Sequence, residues 1–312
     1  MSRQPILPKD KKNPNQTTRL EAGATNMFSS KVREINREVV KIVKSLDYTV
    51  TTINAAKAKR SDLSFVRSWG YDRLNDKAYP VYKNALITNA EKRYNYDLSS
   101  SEILRLGDTI EEIVDRIMMT TMHDQFGNVQ YVQKSNASQL WLFSGFVEPA
   151  YKKGTNAAFR NLSVQSDQYA DDVDSVRQLF STDAYQFRIQ ALAAREFELM
   201  EGFNADTVKD ARRILSDGIA TGRSPKALAR ELTQRVGVNE YRGRRIAQTE
   251  INVAHRRSRQ AESIRAMESY DIKIMALWVS ALKSTTRISH GSRHGKLYTW
   301  EQVNEFYSKN GN

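Results

Sequence analysis

The 312-residue chain contains no cysteine. Disulfides, cysteine-ligated zinc and thiol catalysis are thereby excluded, and the absence fits assembly in a reducing cytoplasm. Histidine is scarce, at four residues. No apolar run approaches the roughly 20 residues that a membrane-crossing helix needs. The first 26 residues lack the apolar stretch of a secretory signal. No Gly-x-Ser-x-Gly elbow and no Gly-rich loop ending in Gly-Lys-Ser/Thr occurs, so neither a serine-hydrolase triad nor a phosphate-cradling loop is indicated. Repeats and low-complexity tracts are also missing.

What the chain has is positive charge, unevenly spread. Lysine and arginine number 48 against 36 aspartates and glutamates, a net +12. Residues 1–70 carry 14 basic and 6 acidic side chains, and residues 241–312 carry 13 and 6. Both ends are therefore positive while the middle is slightly negative. Such asymmetry points to polyanion contact at the ends, nucleic acid being the commonest polyanion.

Periodicity makes the chain mainly α, in an α+β class. An extended helical N-terminal region is followed by a small mixed α/β C-terminal domain. Residues 1–26, with three prolines and the cluster "PKDKKNP", read as a disordered basic arm with nothing to bury. Residues 27–202 read as a mostly helical domain, opening with a stripe of Val32, Ile35, Val39, Ile42, Val43 and Leu46. Residues 59–79 carry no clear period, and a second helix is expected from about Pro80 to Tyr94. A third starts at Ser99, where Ser99 and Glu102 form a capping box, and carries the stripe Ile103, Leu106, Ile110, Ile113, Val114 and Ile117. Residues 124–133 suit a hairpin turning at Gly127-Asn128. "SDQYADDVD" suits a surface loop, and Tyr185–Met200 a strong helix.

Gly202 is the expected break before a third domain, 203–312. There Ser224 and Pro225 form a helix start and Gly237 a stop. A long helix follows from about Asn239, and residues 270–280 read as a strand. The helix over 241–266 carries seven arginines against Glu250 and Glu262. Arginine binds phosphate well because its fork meets two oxygens at once; the same arginines equally suit pairing with carboxylates of the acidic middle.

The stretch "TTRISHGSRHGKLYTW" (285–300) places His290 and His294 four apart. That spacing suits a metal only on a helix, and Gly291 and Gly295 argue against one. No further ligand has suitable spacing, so no metal or cofactor is expected. A strand-to-turn junction, with Gly295 in a left-handed turn, is the simpler reading. Glu250 is expected in a buried pair with Arg245 or, preferably, Arg287, because no second carboxylate stands nearby in sequence for acid–base chemistry.

In order, the C-terminal features are Arg245-Ile246-Ala247-Gln248-Thr249-Glu250, then Trp278 at the end of a strand, then Thr286-Arg287-x-Ser289-His290, then Gly295. Together they resemble the phage Mu F-type head morphogenesis family. Lys283, His294 and Gln248 stand where that family more often has Asp, Asp and Arg. The resemblance makes Arg245, Thr249, Glu250, Trp278, Thr286, Arg287, His290 and Gly295 a structural signature, with no catalytic residue. It implies a non-enzymatic minor head protein, several copies per virion, in the head interior near the portal. Its implied partners are portal and capsid proteins and packaged DNA, with no membrane. Lys9, Lys11, Lys12, Arg242, Arg244, Arg256, Arg257 and Arg259 are the expected DNA or portal contacts. The alternative is an enzyme acting on nucleic acid or nucleotides through His290, His294 and Glu250.

Overall fold

A computed structural model describes residues 4–53, 71–72, 77–78 and 91–310. Its elements are α1 (Thr18–Ser45), β1 (Tyr48–Ile53), β2 (Tyr71–Asp72), β3 (Lys77–Ala78), β4 (Glu91–Tyr96), α2 (Ser100–Met118), α3 (Glu148–Gln165), α4 (Asp167–Asp172) and α5 (Val176–Phe180). The long helices α6 (Asp183–Ala220) and α7 (Pro225–Tyr270) follow, then β5 (Ala276–Leu277), α8 (Ile288–Gly291), β6 (Leu297–Tyr298) and α9 (Trp300–Asn310). The fold is therefore mainly helical, with small antiparallel β pairs, in the α+β class.

Contacts divide the chain into two compact units that do not follow chain order. One comprises Met1–Arg33, Asp115–Asn204 and Val238–Asn312; the other comprises Glu34–Val114 and Ala205–Gly237. The division expected at Gly202 coincides with no end of a helix, since α6 runs through that residue. Gly237 likewise lies inside α7 and stops nothing. Both glycines are exposed, with open space where a Cβ would sit. Neither has a positive φ. Gly202→Ala should therefore raise stability by about 0.5–1 kcal/mol, by removing backbone freedom from the unfolded chain; urea titration of the full chain checks this.

The smaller unit is built around β1 and β4, antiparallel with Tyr48 opposite Tyr96. The helix expected over 80–94 is overturned where it can be seen: 91–96 is strand, and the rest lies outside the described residues. Alternating polar and aromatic residues in "EKRYNY" suit a half-exposed strand better than a helix. The capping box of α2 is formed, with Glu102 Oε2 accepting from Ser99 N–H at 2.7 Å, and its stripe buries Ile110, Ile113 and Val114.

The larger unit packs around Trp141, fully buried, with its indole N–H donating to the Met118 carbonyl at 2.9 Å. Phe28 meets both Trp141 and Phe203 edge to face, at 5.2 and 5.3 Å. Phe28 belongs to α1, which begins nine residues before the expected onset at Met27. Thr17, Ala24 and Thr25 are buried, so the disordered arm does not extend to residue 26. Residues 4–16 lack helix or strand and are tied by polar bonds, including Ile6 N–H to Asn161 Oδ1 at 2.8 Å. "SDQYADDVD" is not a loop either. It contains α4, whose Tyr169 is fully buried and donates to Glu262 Oε1 at 2.6 Å. The turn at Gly127 forms, with φ +82°, but its flanks make only isolated bridges, Thr120 to Tyr131 and Thr121 to Leu140.

Candidate polyanion-binding cleft

The C-terminal part of the larger unit is organised by Trp278. It packs with Val303 and Phe306 as a small core, covered by Tyr298, Trp300 and Tyr307. Tyr307 stacks on the indole at 5.7 Å and 16°. The strand expected over 270–280 is mostly replaced: α7 continues to Tyr270 and only Ala276–Leu277 pair, with Leu297–Tyr298. Gly295 then takes the left-handed turn expected of it, with φ +77° and its N–H donating to the Trp278 carbonyl at 2.9 Å.

The histidine region departs from expectation in one respect. Ile288–Gly291 form a single helical turn, with Gly291 at its last residue, where a glycine costs little. His290 is part of the aromatic cluster, 5.5 Å from Trp278 and 5.1 Å from Phe306. Burial, reinforced by the charges of Arg287 and Arg293, holds its pKa below the ordinary value. His294 Nδ1 accepts from Ser280 N–H at 3.0 Å. The two rings thus serve different partners. Among the described residues no three His, Asp or Glu side chains gather as a metal would require. Thr286 Oγ1 accepts from Lys283 N–H at 2.9 Å, pinning the loop before Arg287.

Glu250 is buried as expected, but its partner is neither Arg245 nor Arg287. Arg195 of α6 donates to its Oε2 at 2.6 Å. Arg245 is exposed and leans on Tyr241, and Arg287 is exposed at the start of α8. Beside Glu250 lies a carboxyl that sequence reading missed, Glu196, fully buried. Neither of its oxygens meets a donor group of another residue. Burial, then the charge of Glu250 and a hydrogen bond with it, push Glu196 up to about 9. The protonated form of Glu196 is thereby favoured. The alternation "AAREFELM" held the signal: a second acid at helical spacing from Leu192 and Met200, on a buried face.

A cleft of about 1410 Å³ opens in the same unit. Its lining includes Lys153 and Arg160 of α3 and Arg256 and Arg259 of α7. Lys12 of the N-terminal residues and Lys273, Lys283 and Arg287 of the stretch after α7 also line it. Glu21 is the one carboxylate among the lining residues, and it accepts hydrogen bonds from Thr17 and Asn252 at 2.7 and 3.1 Å. A wall with so many cations and so little counter-charge concentrates anions. Of the expected contacts, Lys12, Arg256 and Arg259 line it. Lys9, Lys11, Arg242, Arg244 and Arg257 do not, and all five are exposed. Arg256 is partly spent, its guanidinium 3.4 Å above the Tyr307 ring. Thr249, Trp278, Thr286, His290 and Gly295 also line the cleft, so much of the signature frames it.

The model of the family described as Phage Mu protein F like protein matches residues 209–309. Over that third the chain is similar to a phage head-related family, for which a virion location is implied and whose role is typically structural. No curated protein and no solved structure matches the chain. No helix among the described residues is long and apolar enough to cross a membrane.

Proposed function

We propose that the chain is a minor head protein of a tailed phage, assembled in the host cytoplasm and enclosed in the head near the portal. In this reading it takes part in head assembly, DNA packaging or ejection without catalysing a reaction. Its partners are the portal and capsid proteins, with several copies per virion, and the packaged DNA. One observation carries the reading: the family-matched segment, 209–309, itself supplies Arg256, Arg259, Lys273, Lys283 and Arg287 to the basic cleft.

Two measurements test it. Co-expression with the portal and capsid genes of the same genome should yield heads that retain the chain in few copies; heads that exclude it would refute the assignment. Binding of the purified chain to DNA should weaken about a hundredfold between 50 and 200 mM salt if about four phosphates are neutralised. Affinity indifferent to salt would remove the electrostatic contact from the proposal.

A further inference from the structure

Arg259 stands apart from the other partly buried arginines of its unit. Arg265 is locked to Glu262 at 2.6 Å, and Arg195 to Glu250. Arg259 lines the cleft, is partly buried, and makes no ion pair or hydrogen bond through its side chain among the described residues. Burial alone weakens the hold of its guanidinium on its proton. A cation taken out of water is costly unless something pairs with it. A fold that keeps such a group in a cleft wall has a place for an anion.

The surroundings agree. Lys153 of α3, which lines the same cleft and whose charge bears with that of Arg259 on His255, gives a hydrogen bond to the Gln16 carbonyl at 3.1 Å. The residue is exposed. His255 is buried beside both cations; burial, then the charges of Arg259 and Lys153, push it down to about 3, so it stays neutral and adds no repulsion. Glu21, the one carboxylate of the lining, makes no ion pair with Arg259; its Oε1 accepts from Thr17 and Asn252. The cleft exceeds the roughly 300–1,000 Å³ of small-molecule pockets, which suits a segment of polymer. Eight lysines and arginines line it.

We propose that the cleft contains a discrete phosphate subsite, with Arg259 as its centre and Lys153 at its side, for one backbone phosphate of a nucleic-acid strand. The inference rests on the proposed DNA contact for the identity of the polymer, while the site itself rests on the unpaired cation. Arginine suits the role because its planar fork meets two phosphate oxygens together.

The test uses the full-length chain, with anisotropy of labelled single-stranded and duplex oligonucleotides, and with inorganic phosphate and poly-glutamate as competitors. Arg259→Ala should weaken binding about tenfold and reduce the slope against salt by about 1. Arg259→Lys should fall between, keeping charge but losing the fork. Arg37→Ala, an equal loss of charge at an exposed position on α1, should change affinity by less than about twofold. The melting temperature of Arg259→Ala should hold or rise, since an unpaired buried cation is gone; a merely structural arginine would show a fall instead. If Arg259→Ala binds DNA like Arg37→Ala while wild type keeps its salt dependence, the subsite is overturned and the general DNA contact survives. If wild type binds neither oligonucleotide, the DNA contact falls with it. If poly-glutamate binds in an Arg259-dependent way and DNA does not, the occupant is an acidic protein and the nucleic-acid assignment is wrong.

Discussion

Replacing Gly154 with alanine should destabilise the chain by about 2–3 kcal/mol, a large effect for one methyl group. The reason is where α3 and α7 meet. A Cβ at Gly154 would overlap both Ser258 Oγ and the carbonyl oxygen of His255. The hydroxyl can rotate, but the carbonyl belongs to the helix backbone and cannot. Relief therefore requires the two helices to separate, which loosens Ala158 and Leu162 on one and Ala254 and Ala266 on the other, all buried. Urea denaturation should show a lower midpoint with an unchanged slope. A further Ser258→Ala change should restore only part of the loss, because it removes the obstacle that can move aside and leaves the carbonyl. Full recovery in that double variant would show that the hydroxyl, not the backbone, sets the helix separation.

Arg195→Ala should cost about 3 kcal/mol, by leaving Glu250 buried without its cation next to a second carboxyl. The Glu250 side chain is only 7% exposed, against 37% for Arg195, so water can replace little of what is lost. The companion variant runs the other way. Glu196 has its pKa raised from 4.5 to about 9. The folded form therefore holds a proton that the unfolded chain releases above about pH 4.5. The stability this group contributes is complete below that pH and is lost as pH rises toward 9. Glu196→Gln copies the neutral form and can donate its amide N–H to Glu250. It should melt higher than wild type at pH 8 and match it near pH 4, with a flatter alkaline decline. Thermal melts across that range decide the matter, and parallel profiles for the two proteins would rule out a protonated Glu196. Since both carboxyls titrate as a pair, the decline belongs to the dyad and not to one residue.

Local chemistry was legible in the linear chain, and distant pairing was not. Ser224 caps α7, its Oγ accepting from Ala227 N–H at 3.1 Å, because an N-cap involves residues three apart. The α2 stripe and the left-handed Gly295 are equally local. Trp278 stood out only through a resemblance; it packs in a small core with Val303 and Phe306. By contrast, Glu250 could be read as buried but not matched to Arg195, 55 residues earlier on another helix. Tyr169 looked like surface because its neighbours are acidic; one turn of helix points those acids outward and the ring inward. Gly202 and Gly237 suggested breaks because glycine weakens helices by about 1 kcal/mol, yet buried neighbours, Met200 and Phe203 in one case and Leu232 and Asn239 in the other, hold the helices through them by packing. The eight cleft cations come from segments that folding alone brings together, so charge counting found the ends of the chain basic without finding the cleft.

The meeting of α3 with α7 also bears on modular inheritance. The stretch that resembles phage head proteins begins at residue 209, yet its helix depends on Gly154 for clearance and on Arg195 for charge, both from upstream sequence. A hybrid made by transplanting 209–309 alone into a relative's framework would inherit a carboxylate without its cation and a helix without its notch. The recombination unit that folds is therefore wider than the matched segment, and compatible grafts must carry α3 and the first half of α6 along with it.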